Sequence, residues 1–220
     1  MNDLELITPG IKPKGKAYAN CRPKAERPLG DFYGTPRSLT RLLIGTGILD
    51  SMRSILEPCA GDGRIAQELI KGLDKPRRLH CYDFYTMYGD RKKDFLTEED
   101  TSYDGIVTNF PFSDWDPMII HGLSISPKVV TIGKTNFIGA HGRNVRGLWD
   151  VCEKIYAFDR MVDYRTPDRE DGCFYVGNLV TGWFVFNREH SGGPKLEVLD
   201  VSPWATLGSH PDSKKLKKKE

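Results

Sequence analysis

The run Glu57-Pro58-Cys59-Ala60-Gly61-Asp62-Gly63 joins a short apolar stretch directly to an amphipathic one, and this junction constrains the chain more than any other feature. Residues 54–60 (SILEPCA) read as a strand closing on a turn, and 63–72 (GRIAQELIKG) as a helix stopped at Gly72. The alternation continues. Strand-like segments stand at 77–85, 105–112, 127–137, 154–162 and 179–189, the last strongly β-prone. Helix-like segments stand at 116–125, with Asp116 as N-cap and Pro117 at the first helical position, and at 142–154. Residues 166–172 read as a polar loop. Strands alternating with helices imply right-handed crossovers, hence an α/β fold with a mostly parallel central sheet and helices on both faces. In that architecture ligands bind beyond the carboxyl ends of the strands, near the switch in strand order. The distinctive residues of this chain fall there.

With 220 residues, 39% hydrophobic and 28% charged, the chain is an ordinary water-soluble composition, able to bury a core without staples. Its five cysteines (Cys21, Cys59, Cys81, Cys152, Cys173) include no CxxC pair, which argues against a disulfide framework and for a reducing, cytoplasmic setting. The N-terminus does not read as a signal peptide, no segment reaches transmembrane length, and no membrane association is expected. Charge is uneven. Residues 1–30 carry +3 and residues 211–220 another +3, which against a total of +2 leaves −4 for residues 31–210. A flexible basic arm (1–30) and a lysine-rich tail (206–220) are therefore expected to flank a single domain (31–205). Such arms can hold a polyanion through phosphate contacts, although for the lysine tail alone a solubilising role is the plainer explanation. The histidines are scattered without metal-ligand spacing, so no metal is expected, and no Gly-x-Ser-x-Gly nucleophile motif occurs.

Gly61-x-Gly63-x-x-Ala66 fits the dinucleotide fingerprint, with Asp83 placed 20 residues beyond Gly63, where a ribose-binding acid belongs. A nicotinamide enzyme is one reading. Glu57 at the strand's end points elsewhere, because a carboxylate at the lip of the turn would repel a pyrophosphate at the helix N-terminus. S-adenosylmethionine has no phosphate and carries an amine and a sulfonium, both positive, so it suits such a turn. A glycine turn that merely connects strand to helix is the third reading. On the second, Asp83 accepts both ribose hydroxyls and Phe84 covers one face of the adenine. Asp94-Phe95 then offers a carboxylate to the adenine amine and a ring to its other face; in isolation that pair is a surface acid beside a core aromatic.

Thr108-Asn109-Phe110-Pro111-Phe112 closes the strand at 105–112. Here the chain resembles the class I S-adenosylmethionine-dependent amino-group methyltransferases, whose signature at this place is Asn/Asp-Pro-Pro-Tyr/Phe. Within that class it resembles small phage-type DNA adenine-specific enzymes. The resemblance runs from about Phe32 to Phe186. It takes in Asp31-Phe32-Tyr33-Gly34-Thr35-Pro36, the glycine turn, Lys134-Thr135-Asn136-Phe137 and Gly182-Trp183-Phe184-Val185-Phe186. It implies a Rossmann-like methyltransferase fold, with a cofactor site of Tyr33, Thr35, Pro36, Glu57, Cys59, Ala60, Gly61, Gly63, Asp83, Phe84, Asp94 and Phe95. It also implies a catalytic corner of Asn109, Phe110, Pro111 and Phe112. An adenine amine is a poor nucleophile because its lone pair is delocalised into the ring. The Asn109 side-chain carbonyl and the Phe110 backbone carbonyl would each accept one amine hydrogen and aim the lone pair at the methyl. Pro111 fixes the turn, and Phe112 stacks on a base extruded from a duplex or already unpaired. The second position departs from the signature: Phe110 replaces proline.

The expected substrate is the exocyclic amine of adenine in DNA, with a phage or bacterial cytoplasmic setting implied by the resemblance. Methylation of another planar amine (RNA adenine, cytosine amine, protein glutamine) shares the same tetrapeptide. A binding protein without turnover is the reading from a different class. Target recognition is expected from Arg143, Arg146, Arg165 and Arg169 in short loops, or from a recognition partner or homodimer; solvated loop charges are the plainer alternative.

Overall fold

The central strands are apolar on both faces, and this decides the layering. The structure, a computed structural model, describes residues 34–73, 78–85, 88–89, 92–164 and 172–206. In chain order these form α1 (Arg37–Gly45), β1 (Ser54–Glu57), α2 (Arg64–Gly72), β2 (Arg78–Cys81), β3 (Gly105–Thr108), α3 (Trp115–Ile125), β4 (Lys128–Lys134), α4 (His141–Val145), β5 (Cys152–Phe158), β6 (Phe174–Tyr175), β7 (Thr181–Asn187), β8 (Lys195–Leu199) and β9 (Ala205–Thr206). Seven strands make one sheet in the order β2-β1-β3-β4-β7-β5-β8, and β6 pairs with β9 apart from it. The first four pair in parallel, β7 runs antiparallel to β4 and β5, and β8 is parallel to β5.

Alternate residues feed opposite layers. Ile55, Val107, Val130, Trp183 and Val185 pack with Leu39 and Leu43 of α1 and Ile65 and Leu69 of α2. Leu56, Ile106, Val129, Phe184 and Phe186 pack on the other face with Trp115, Ile119 and Ile125 of α3. Each fully buried side chain of this size contributes about 1.5–3 kcal/mol, so the two layers together supply most of the favourable folding energy. The order reverses at β1, since the chain adds β2 on one side and then crosses back to add β3 on the other. That places a crevice at the carboxyl ends of β1 and β3.

The mostly parallel sheet agrees with the sequence expectation, and the elements differ in detail. Helix α3 begins at Trp115 with Asp114 as N-cap, not at Asp116. The reason is the Trp115 ring, which is buried and donates from Nε1 to the Ile132 carbonyl at 2.8 Å, committing the preceding residue to the cap position. The helix expected over 142–154 shrinks to α4, because Gly147 takes a left-handed conformation (φ 68°) and ends it. Helix α1 and strand β8 lie outside the expected elements. The expected arms lie outside the described residues, apart from Thr206, which belongs to β9. Among the described residues no helix is long and apolar enough to cross a membrane.

Candidate active site

The glycine turn wraps the end of β2. Tyr82 donates its backbone N–H to the Glu57 carbonyl and accepts from Ala60, both at 3.1 Å, while Gly63 donates to the Ala60 carbonyl at 2.7 Å. Gly61 (φ 54°) and Gly63 (φ 82°) sit in the left-handed region that glycine adopts without strain. Asp83 locks the turn from β2, its Oδ2 accepting the Gly61 N–H at 2.9 Å and its Oδ1 the Tyr85 N–H at 2.7 Å. Each oxygen keeps a second acceptor lone pair, as a ribose diol requires. Phe84 is exposed beside it, edge-on to Tyr85, with the Lys92 ammonium 5.1 Å above its ring.

Glu57 does not present a charge at the lip of the turn. Its side chain is fully buried and bonded to the Ala66 N–H inside the first turn of α2. Burial pushes its carboxyl well above the usual carboxylate range, and the nearby Asp62 and Asp83 charges push the same way. Desolvation, and then the Asp83 charge, push the Cys59 thiol up and hold it protonated, so it is no nucleophile. Asp94 is exposed, its charge is felt at Cys59, and it accepts the Leu96 N–H at 3.0 Å. Phe95 departs from its expected role. Only 2% exposed, it stacks on Phe110 at 5.3 Å and meets His121 edge-on, inside the core layer beneath α3.

Across the switch point, Asn109 follows β3, and its Nδ2 donates to the Thr35 hydroxyl at 3.1 Å. The buried Thr35 thus sets which way the amide faces. The segment holding Thr35 is pinned in turn, since a Cβ on Gly34 would come within 2.9 Å of the Arg64 guanidinium, itself paired with Asp62 at 2.7 Å. Pro36 caps α1 just beyond. The Phe110 ring is core rather than crevice, and its N–H faces the Thr131 hydroxyl at 3.4 Å. The Pro111 carbonyl closes the turn by accepting the Asp114 N–H at 3.1 Å. Phe112 remains half-buried, edge-on to Phe137 at 5.8 Å, with the Lys134 ammonium 4.9 Å from its ring centre.

Two candidate arginines are engaged elsewhere. Arg143 and Arg146 both pair with Asp116 of α3, and Arg143 also lies over the Phe137 ring at 4.2 Å. Tyr33, Arg165 and Arg169 lie outside the described residues. Sequence reasoning missed Tyr88, whose ring lies so close over Gly63 that a Cβ there would overlap it. No spacing marks it. Lys134 was visible only as part of a strand-end run.

No protein-family model matches the sequence, and neither does any curated protein. Solved structures do match. One is the methyltransferase subunit of a type I restriction-modification system from Streptococcus thermophilus, at 12% identity and TM-score 0.53, covering 84% of this chain and 52% of that one. The chain thus spans about half the length of that subunit. Another is a Pyrococcus horikoshii protein assigned as an RNA methyltransferase, at 17% identity and TM-score 0.50, covering 79% of this chain and 90% of that one. The chain therefore has the Rossmann-like methyltransferase fold, a mostly parallel seven-stranded sheet with helices on both faces.

Proposed function

We propose that the protein transfers a methyl group from S-adenosylmethionine to the exocyclic amine of adenine in DNA. The observation that carries this reading is the Asn109 amide, held by Thr35 at the carboxyl end of β3, the strand paired in parallel with the β1 strand that leads into the glycine turn. The methyltransferase fold supports it, as does the Asn-x-Pro-Phe corner. The turn fits the cofactor: Asp83 has acceptor capacity for the ribose, and the Tyr88 ring lies against Gly63 at the start of α2, narrowing the place a pyrophosphate would take. The bound cofactor supplies an activated methyl. The chain positions the acceptor. Asn109 Oδ1 and the Phe110 carbonyl each take one amine hydrogen, Pro111 holds the turn, and Phe112 stacks on the base. The amine's proton leaves to water after attack, so the corner needs no general base.

Incubation with methyl-labelled S-adenosylmethionine and a panel of DNA, RNA and a glutamine peptide tests this. Label on DNA adenine is the expected result. Label on RNA or peptide alone moves the reaction to another planar amine, and label on nothing makes the chain a binding protein.

A further inference from the structure

Cations around the crevice are paired with carboxylates almost throughout: Arg64 with Asp62, Lys93 with Glu98, Arg143 and Arg146 with Asp116. Lys134 differs. Among the described residues no carboxylate lies within ion-pair distance of it, and its ammonium rests on the face of Phe112. Its backbone is fixed at the end of β4 by the register with Thr181 of β7, so the root of the side chain cannot drift. A base stacking on that face of Phe112 and the ammonium compete for the same place. Phe137 takes up a further part of the Phe112 surface, its ring perpendicular at 5.8 Å. When a base enters, the ammonium must swing off the ring on its flexible stem, and it needs an anion to receive it.

We infer that Lys134 receives the backbone phosphate of the target nucleotide, its ammonium resting on Phe112 only until a base takes that face. The inference rests on the proposed role of Phe112 as the base platform, and it specifies a nucleic acid as the substrate class. A glutamine side chain carries neither the ring nor the phosphate. Lys134 is a positioning residue here, with no part in the chemistry.

The test is fluorescence anisotropy on the full chain with S-adenosylhomocysteine present. The probe is a labelled single-stranded oligothymidine carrying one adenine, titrated between 50 and 200 mM salt. Lys134→Met keeps the stem and removes the charge. It is expected to weaken binding about five- to tenfold at low salt and to flatten the plot of log affinity against log salt by about 0.7. Lys134→Arg restores both. A Met variant matching the wild type in affinity and slope overturns the inference, as does a wild-type chain that does not bind the oligonucleotide. A lost slope in a protein that binds DNA but transfers no methyl supports the role of Lys134 while overturning the proposed reaction.

Discussion

At the scale of single residues the corner makes two sharp demands. Asn109→Ala removes the side-chain acceptor, so it should abolish methyl transfer while leaving cofactor affinity within a few-fold; unchanged turnover would refute the role. Thr35→Val removes only the hydroxyl that orients the amide. We expect kcat to fall about tenfold or more, as loss of one positioned group does, with Thr35→Ser close to wild type. Glu57 makes a demand on stability. Its buried carboxyl is favoured neutral, so its folded pKa stands above its unfolded one. Its contribution is full below the unfolded value and is lost as pH rises towards the folded one. The slope is about 1.4 kcal/mol per pH unit where only the unfolded chain is ionised. Glu57→Gln keeps an acceptor for the Ala66 N–H and has nothing to ionise, so its denaturation midpoint should gain on the wild type from pH 5 to pH 8; a constant difference would contradict the burial argument. That Asn109, Pro111 and the glycines follow strand ends could be read beforehand because a turn at a strand end tolerates few residue types. Phe95 and Phe110 could not. An aromatic beside an acid looks the same in sequence whether its ring faces the crevice or, as here, its neighbour in the core.

At the scale of elements, the glycines separate two kinds of position. Gly45 ends α1 with nothing within 4 Å of a would-be Cβ, so Gly45→Ala should stabilise by about 0.5–1 kcal/mol through helix propensity alone. Gly63 has φ 82° and the Tyr88 ring above it, so Gly63→Ala should destabilise by about 1–2 kcal/mol. Chemical denaturation of the two variants side by side checks the contrast; equal effects would mean the left-handed turn is not held as described. The same local physics explains where element reading failed. Helix α1 lacks a side-chain cap and an acidic first turn, so no terminal signal marks it in the sequence. Strand β8 exposes Leu196 and Val198 at the sheet edge, so no buried face imposes an alternation to read. Asp116 looked like a cap because a proline follows it, yet its carboxylate serves Arg143 and Arg146 instead.

For the whole molecule, the crevice lies between the two halves that the reversal at β1 creates, and a ligand there bridges them. The glycine turn is tied to β2 through Asp83, while Asn109 is tied through Thr35 to the segment leading into α1. A compound filling the crevice therefore touches structure on both sides, and local opening of either side must release it. Binding should then act on global unfolding, as it does for any ligand held only by the folded state. At a hundredfold excess over its Kd, S-adenosylhomocysteine should add about 2.7 kcal/mol, which raises Tm by roughly 5 to 10 °C in a chain of this length. NAD should add nothing measurable, because the Tyr88 ring lies against Gly63 at the start of α2, where its pyrophosphate would have to approach. Differential scanning calorimetry of the full chain with each compound separates the outcomes. A Tm raised by NAD and unmoved by S-adenosylhomocysteine would return the glycine turn to the dinucleotide reading that its spacing also fits.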